Sequence, residues 1–142
     1  MPTVVRAGRH PAWDAQTMTL LCPCGSGRNL DQCCGPILDD PRHAETAEAL
    51  MRSRYTANTL GRWNHLWATW HPRTRPDVVD SQGLEWTGLQ ILATKDGQPG
   101  DITGMVEFRA SYRAGKRHNV LHEVSRFQRR AGRWMYVDGD VD

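Results

Sequence analysis

The chain has 142 residues and a formal net charge of +2, and it contains four cysteines and six tryptophans. This length fits one modest domain with a small appendage. No apolar run is long enough to cross a membrane, and the small net charge gives no bulk electrostatic basis for binding nucleic acid. The composition therefore argues against a membrane protein and disfavours a nucleic-acid partner.

The N-terminal residues 1–18 are predicted to form a flexible leader. They contain Arg6, Arg9 and Pro11 but lack the apolar segment that a secretory signal peptide needs. They also show no helical or strand period, which is typical of a mobile terminus. We therefore expect the folded part of the chain to begin just before the first cysteine.

All four cysteines lie within residues 22–34, as a Cys-x-Cys turn, eight further residues and a Cys-Cys pair. This spacing allows four thiolates to surround one tetrahedral metal ion, and Gly25 and Gly27 permit the tight turn that folds the first pair over the second. Sulfur ligands in tetrahedral geometry favour Zn²⁺. The sequence therefore predicts a structural zinc knuckle over residues 19–38. Its ligands are Cys22, Cys24, Cys33 and Cys34.

Three other interpretations of the cysteines are weaker. Of the three ways to pair them as disulfides, one joins adjacent cysteines under strain. Iron–sulfur clusters use wider spacings, and redox sensors usually carry one or two isolated thiols.

Four cysteine ligands leave no open position for water, so the expected zinc is not catalytic. Four thiolates and one Zn²⁺ change the net charge from +2 to zero, and a metal-binding set with no spare cysteine fits a reducing, cytoplasmic compartment.

A first helix is predicted after a turn-rich junction at residues 35–41. It begins at Thr46, whose hydroxyl can cap free backbone N–H groups, and it continues to about residue 58. The three- and four-residue spacing of its apolar side chains places Arg54 toward the same side as Leu50 and Tyr55. An arginine on the inner side of a helix needs a polar partner.

A second helix is predicted over residues 60–70 and ends before Pro72. It carries one apolar stripe, formed by Trp63, Leu66, Trp67 and Trp70. Such a stripe favours packing in a core over binding of a ligand. Surface or capping roles are expected for the two flanking histidines, His65 and His71.

Alternation of apolar and polar residues predicts four strands in the remaining chain, separated by glycine-containing turns. The strands span residues 85–94, 105–113, 119–129 and 133–138. Two helices followed by four antiparallel strands give an α+β domain over residues 41–142, with a curved sheet wrapped on its helices.

Two polar side chains share the apolar face of the third strand. Leu121 and Phe127 mark this face, and parity adds Glu123 and Ser125 to it. A carboxylate on an inner face must be paired or hydrogen-bonded, and Arg54 is the partner we expect. A structural Arg54–Glu123 pair is favoured over a polar anchor inside a ligand cavity. On the opposite parity, Glu107, His122 and Arg126 are expected to face solvent or a partner.

The cysteine segment, CPCGSG followed by CCG, resembles the SEC-C motif, a zinc knuckle named for the carboxyl end of the preprotein translocase ATPase. Four further segments follow in order: ALMRSRY at residues 49–55, TWHP at 69–72, HEVSRF at 122–127 and WMYVDG at 134–139. Together they resemble the YchJ family of bacterial proteins, in which a SEC-C knuckle precedes a nuclear-transport-factor-2-like domain. The resemblance covers about residues 21–139. It implies a cone-shaped domain with two or three helices packed on a curved antiparallel sheet.

The resemblance also bears on the chain start and on partners. Family members commonly begin just before the first cysteine, so Met18 is an expected start of translation. In the translocase ATPase, the motif contacts an export chaperone and has been linked to the ribosome. A protein partner of that kind is therefore implied here, by resemblance alone.

Two functions follow as hypotheses. The first is a cytoplasmic, zinc-binding, non-catalytic interaction protein that docks a protein partner through its knuckle. The alternative is a small-molecule-binding protein or an enzyme that uses the cavity of the α+β domain. An enzyme of the ketosteroid isomerase type would need an acidic base and a hydroxyl donor, parts that Glu123 and Tyr112 fit by fold analogy. An enclosed pocket lined by these two residues and by aromatic rings would favour the alternative, whereas a filled core with an exposed knuckle rim would favour the first.

Overall fold

The computed structural model describes residues 20–80 and 83–142. Over these residues it shows three α-helices and a four-stranded antiparallel sheet, which confirms the predicted α+β fold. The expectations for the leader at residues 1–18 and for a start at Met18 lie outside the described residues. The helices are α1 (Cys34–Asp39), α2 (Ala47–Leu60) and α3 (Trp63–Ala68), and the strands are β1 (Glu85–Asp96), β2 (Thr103–Ala114), β3 (Arg117–Arg130) and β4 (Arg133–Val141).

Helix α2 is the central element of the fold. Its first turn is capped by Thr46, whose Oγ1 accepts a hydrogen bond from the backbone N–H of Ala49 at 3.0 Å, as the sequence predicts. The helix ends at Gly61, which takes the left-handed conformation with a φ of 71°. Eight of its 14 residues are buried. The helix is therefore covered on more than one side.

Helix α3 is shorter than the helix predicted for residues 60–70. The chain leaves the helix after Ala68, and Trp70 forms a parallel bridge with Tyr136 on the edge of β4. The backbone N–H of His71 donates to the carbonyl of Tyr136 at 2.8 Å, and the N–H of Tyr136 donates to the carbonyl of Thr69 at 2.8 Å. The helical prediction failed here because pairing with a strand edge satisfies this backbone better than a last helical turn does.

The four strands form an antiparallel meander in the order β1-β2-β3-β4. Register shifts in the β1–β2 and β3–β4 pairs mark bulges, which increase the twist and help to curve the sheet. Val106, Phe108 and Ala110 are buried on one face of β2, as their parity predicts. Helix α2 packs against that face.

The cysteine segment and the α+β domain share one hydrophobic core. Cys22, Cys24, Leu30 and Cys34 belong to the same cluster of buried side chains as Leu50 of α2 and the inner face of the sheet. The knuckle is therefore packed on helix α2 and not merely joined to it by a linker. Any group that fixes the four cysteines also fixes part of this core.

None of the helices in the described ranges, 20–80 and 83–142, combines the length and apolar character that a membrane span requires.

Candidate functional sites

The first candidate site is the cysteine cluster. The four sulfur atoms of Cys22, Cys24, Cys33 and Cys34 all lie within 4.8 Å of one another, and none is in a disulfide. The Sγ atoms of Cys24 and Cys33 are 3.6 Å apart, and those of Cys33 and Cys34 are 4.0 Å apart. Four sulfurs bound tetrahedrally at about 2.3 Å from a zinc ion lie about 3.8 Å apart, whereas a disulfide bond is about 2.05 Å long. The donor set and its spacing therefore fit one tetrahedral ion.

A tight loop brings the two cysteine pairs together. Gly25 and Gly27 have φ values of 80° and 83°, a region that other residues rarely adopt. The backbone N–H of Cys22 donates to the carbonyl of Arg28 at 2.8 Å, which closes the loop. A side chain at Gly25 would also meet the carbonyl oxygen of Leu89 in β1, with its Cβ at 3.2 Å. The loop therefore needs glycine both for its turn and for its packing on the sheet.

Polar groups around the cluster point to its sulfur atoms. The hydroxyl of Ser26 lies 3.1 Å from the Sγ of Cys33, and that of Thr56 lies 3.6 Å from the Sγ of Cys22. Arg52 donates from Nη1 to the carbonyl of Cys24 at 2.8 Å and lies 3.8 Å from its sulfur. Because a thiolate has no proton to donate, these groups would act as donors to a thiolate cluster.

Two of these donors come from helix α2, and sequence reasoning did not find them. Arg52 and Thr56 lie four residues apart and so share one face of the helix. They are separated from the cysteines they contact by 28 and 34 residues. Nothing in the spacing of the cysteines points to such distant partners.

The protonation of the cluster supports the need for a cation. The pKa of Cys24 is lowered mainly by its hydrogen bond with Cys22 and secondly by that with Cys34. Burial raises the pKa of Cys33 to about 11. Hydrogen bonding with Cys22 and then Cys24 raises the pKa of Cys34. In the bare cluster these shifts favour a thiolate at Cys24 beside thiols at Cys33 and Cys34. Four thiolates at these distances require a bound cation.

The second candidate site is a cavity of about 200 Å³ between helix α2 and the inner face of the sheet. Its walls are largely aromatic: Tyr55, Trp70, Trp86, Phe108 and Tyr136. Its polar side chains are Arg54, Asn58, Glu123 and Ser125. Three of the four cavity residues expected from the sequence therefore line it, namely Arg54, Glu123 and Ser125.

Arg54 is a buried cation held by neutral groups. Its Nη1 donates to the carbonyl of Leu66 at 2.8 Å and to the Oγ1 of Thr69 at 2.7 Å. Its guanidinium carbon lies 5.1 Å from the ring centre of Trp70 and 4.7 Å from that of Tyr136, within the range of cation–π attraction. Burial lowers the pKa of Arg54 to about 10, so the side chain remains charged at neutral pH.

Glu123 is held by two hydroxyl groups. Its Oε2 accepts from the Oγ of Ser125 at 2.7 Å and from the phenol of Tyr136 at 3.0 Å. The absence of a side chain at Gly139 makes room for it, since a Cβ there would overlap the carboxylate. Burial is the main cause of a raised pKa of Tyr136, and the charge of Glu123 is the second cause. The phenol therefore keeps its proton and can donate it in a hydrogen bond.

The expected direct ion pair between Arg54 and Glu123 is not formed in the described part of the chain. The guanidinium is turned toward the carbonyl of Leu66, while the carboxylate is occupied by the hydroxyls of Ser125 and Tyr136. Tyr136 contacts both charged groups, one with its ring and the other with its hydroxyl. The two charges therefore share a cavity without neutralising each other directly.

Tyr112 does not line the cavity. Its ring lies 5.2 Å from that of Trp86, and the hydroxyl that reaches Glu123 belongs to Tyr136 on β4. The structure therefore gives no support to Glu123 and Tyr112 as a base and its hydroxyl partner.

Both histidines for which surface or capping roles were expected are buried. His65 is 6% exposed and His71 is 8% exposed. The Nε2 of His65 lies 2.9 Å from the hydroxyl of Ser53, and burial lowers the pKa of His65 to about 3, so the ring is neutral. The Nδ1 of His71 accepts from the backbone N–H of Arg73 at 3.1 Å, which is a capping role in a turn. The surface role was wrong because α3 and the segment after it fold against α2 and β4.

The polar residues on the opposite face of the sheet form ion pairs. His122 lies between Glu107 and Asp142, with N–O distances of 2.7 and 2.8 Å. Arg126 contacts Asp138 at 2.6 Å and Asp140 at 2.9 Å. These groups stabilise strand pairing at the surface and are not brought to the cavity.

A curved antiparallel sheet packed on α2 and preceded by a cluster of four cysteines defines a nuclear-transport-factor-2-like domain with an N-terminal cysteine knuckle. Comparison with known families agrees with this class: residues 46–139 match the family described as the YchJ middle NTF2-like domain, and residues 18–36 match the SEC-C motif. The chain belongs to the YchJ-like family, as its sequence motifs suggest.

Relatives of known sequence carry the name UPF0225. One from Streptomyces coelicolor is 52% identical over 120 residues, covering 84% of this chain and 94% of the relative. Another from Chromobacterium violaceum is 46% identical over 125 residues, covering 84% and 92%. These relatives therefore match the chain over nearly their whole length.

Two solved structures resemble this one. The solution structure of a SEC-C motif containing protein from Rhodopseudomonas palustris has a TM-score of 0.75 and 35% identity, covering 85% of this chain and 98% of that chain. The crystal structure of a SEC-C motif containing protein from Psychrobacter arcticus has a TM-score of 0.71 and 24% identity, covering 89% and 85%. The second likeness shows the fold alone.

Proposed function

We propose that this protein is a zinc-binding interaction protein in which one Zn²⁺ is held by Cys22, Cys24, Cys33 and Cys34. The observation that carries this proposal is the approach of all four sulfurs to within 4.8 Å of one another without a disulfide. Four sulfurs complete the tetrahedral shell, so the zinc has a structural role and no position for a reacting water.

The zinc would fix the knuckle to the core of the domain. Cys22, Cys24 and Cys34 are buried, and Cys34 also begins helix α1. The cluster contacts Arg52 and Thr56 of helix α2. A bound ion would thus join the N-terminal segment, α1 and α2 into one unit.

Metal content of purified variants tests this proposal. We expect about one zinc per chain in the wild type and a loss of stoichiometric zinc in Cys33→Ser, because a serine hydroxyl is a poor zinc ligand. Ser26→Ala is the matched control, since it removes a donor to Cys33 but keeps all four sulfurs. It should retain the zinc with about tenfold weaker affinity. Retention of stoichiometric zinc in Cys33→Ser would refute the ligand assignment.

We propose that the protein docks a partner in the cytoplasm through the rim of the knuckle. The rim is the exposed surface formed by Leu20, Leu21 and Arg28. Leu20 and Leu21, which directly precede the cluster, are 57% and 66% exposed. Arg28 is exposed, and its guanidinium donates to the carbonyl of Gln32 across the loop. Two exposed leucines beside a basic group favour a protein partner with an apolar and acidic contact surface. An export chaperone or the ribosome is the kind of partner that the resemblance implies.

Affinity capture followed by direct titration tests the docking role. A Leu20→Ser, Leu21→Ser variant should keep its zinc and lose a partner that the wild type captures. Val78→Ser is the control, because Val78 is 74% exposed and lies in the loop after α3. The captured protein, once purified, should bind the rim variant at least about tenfold more weakly than the wild type. Equal affinity for wild type and rim variant would overturn docking through the knuckle.

A second candidate function is binding of a small molecule in the cavity. It is favoured by the cavity of about 200 Å³ and by two buried charges that do not pair directly. Tyr112 lies outside the cavity, and the phenol that reaches Glu123 belongs to Tyr136 and donates to that carboxylate. The expected reaction through Glu123 and Tyr112 is therefore not proposed, and the second candidate function is binding alone.

A further inference from the structure

We propose that the cavity binds a small monocarboxylate with a flat apolar body, and that Arg54 is the group that holds the carboxylate. This inference deepens the second candidate function, binding in the cavity, and rests on it. It is independent of the zinc and of docking through the knuckle.

The hydrogen bonds of Arg54 within the described residues leave some of its N–H donors without an acceptor. An arginine side chain carries five N–H donors, two of them on each terminal nitrogen and one on Nε. The two donors of Nη1 are used by Leu66 and Thr69. Across residues 20–80 and 83–142, no hydrogen bond engages Nη2 or Nε. One edge of the planar guanidinium therefore remains available, and this edge matches the two oxygens of a carboxylate.

The charge of Arg54 also favours an anion. Its contacts are a carbonyl, a hydroxyl and two ring faces, all without formal charge. A buried cation without a directly bound anion is costly. A ligand carboxylate in contact with the free edge would offset this cost.

A purely structural role for Arg54 explains only the two hydrogen bonds that Nη1 donates. Arg54 joins α2 to the end of α3 through Leu66 and Thr69, and that contact needs one terminal nitrogen alone. The structural role therefore leaves three donors of this cavity-lining side chain without a partner among residues 20–80 and 83–142. The binding role uses them.

The shape of the cavity sets the rest of the ligand. Trp70, Trp86 and Phe108 present rings to it, and such walls suit a flat apolar body. Its volume of about 200 Å³ is below the roughly 300–1,000 Å³ of pockets for drug-sized ligands. A single-ring acid therefore fits better than a larger molecule.

Glu123 restricts the charge of the ligand. Its carboxylate lines the same cavity and is bound through Oε2 to Ser125 and Tyr136. A second negative group on the ligand would be repelled by it. The site therefore favours one carboxylate over two.

Benzoate is the probe that tests this inference, with neutral benzamide as its matched control. Both have the same ring, and only benzoate has a charged, two-oxygen group. Binding is followed by the indole N–H resonances of Trp70 and Trp86 in two-dimensional NMR of the zinc-loaded wild type. We expect benzoate to bind with an affinity at least about tenfold higher than that of benzamide, the difference typical of a charged hydrogen bond. Phthalate, which has two carboxylates, should bind more weakly than benzoate.

Variants test whether Arg54 causes the preference for benzoate over benzamide. Arg54→Gln should remove the preference for benzoate over benzamide. Arg75→Gln should keep it, because Arg75 also stacks on a tryptophan, Trp67, and donates to its carbonyl but does not line the cavity. Glu123→Gln should increase benzoate affinity several-fold by removing a like charge. If Arg54→Gln does not fold, the ligand comparison in the wild type and the Glu123→Gln result decide the question.

The outcomes separate the inference from the functions on which it depends. Equal binding of benzoate and benzamide, or an unchanged preference in folded Arg54→Gln, overturns the carboxylate assignment and leaves binding in the cavity standing. No saturable shift of Trp70 or Trp86 with either probe overturns both. Zinc content is measured in the same samples, so a failure of the metal assignment is seen independently.

Discussion

The cysteine cluster and the cavity lie against the same helix, but their polar groups are satisfied in different ways. Arg52 of α2 points to the cluster, donates to the carbonyl of Cys24 and is paired with Glu48 at 2.9 Å. Arg54, two residues further along, lines the cavity, and its hydrogen-bond partners among the described residues are neutral. The groups of the cluster therefore contact one another, whereas the cavity keeps donors that have no partner among the described residues. From this contrast we propose a structural role for the cluster and a binding role for the cavity.

The largest effect should follow removal of metal from the closed site. Chelation of zinc should lower the free energy of unfolding by about 4 kcal/mol, the value expected when free zinc exceeds its dissociation constant about a thousandfold. Thermal and denaturant unfolding of the metal-free and zinc-loaded protein would measure this difference. Addition of zinc should restore stability and addition of magnesium should not, since magnesium prefers oxygen ligands. An unchanged unfolding curve after complete zinc removal would contradict a structural metal.

The next effect concerns the space that Gly139 leaves for Glu123. Gly139→Ala should lower the free energy of unfolding by about 1–3 kcal/mol, because the added Cβ overlaps the carboxylate. Gly88→Ala is the control, since Gly88 also lies in a strand and has open space around it. Shortening the neighbour in a Gly139→Ala, Glu123→Ser double variant should recover part of the loss. Equal destabilisation at both glycines would mean that Glu123 is not placed as described.

A smaller effect should distinguish the two tyrosines. Tyr136→Phe should cost about 1–2 kcal/mol of unfolding free energy, because it removes a donor to the buried carboxylate of Glu123. Tyr112→Phe should cost less than about 0.5 kcal/mol, since that hydroxyl does not reach the cavity. Chemical denaturation of the two variants makes the comparison. The reverse order would restore Tyr112 as the partner of Glu123.

The smallest effect should come from His122 on the outer face of the sheet. Hydrogen bonds to Glu107 and then Asp142 raise the pKa of His122 above its ordinary value of 6.5. A raised pKa in the folded state stabilises the fold below about pH 6.5, and this contribution is lost as the pH rises through the folded value. The difference in melting temperature between wild type and His122→Gln should therefore be largest below about pH 6.5 and should shrink as the pH rises above it. A difference that grows with pH would have the wrong sign.

The two regions also differ in how far they could be predicted from sequence. The four cysteines of the cluster lie within residues 22–34, so their grouping could be predicted from local spacing. The four strands and the capped helix α2 were likewise predicted because period and capping are local signals. The cavity joins α2, the segment after α3 and all four strands, and its contacts depend on how these elements pack.

The specific errors of the sequence analysis also arise because local patterns do not show how the elements pack. Arg54 and Glu123 were expected to pair because parity and helix spacing place both inward, but these patterns do not show that Leu66 and Ser125 supply nearer partners. Tyr112 was proposed as the hydroxyl donor by fold analogy alone, which does not show that the phenol reaching Glu123 belongs to Tyr136. The burial of His65 depends on how α3 packs against α2, which spacing does not reveal.

The zinc X-ray absorption spectrum of the purified wild-type protein tests the central claim most directly. We expect a first coordination shell of four sulfur atoms at about 2.3 Å, with no oxygen or nitrogen ligand. A shell with fewer than four sulfurs, or with bound water, would contradict the closed structural site formed by the four cysteines.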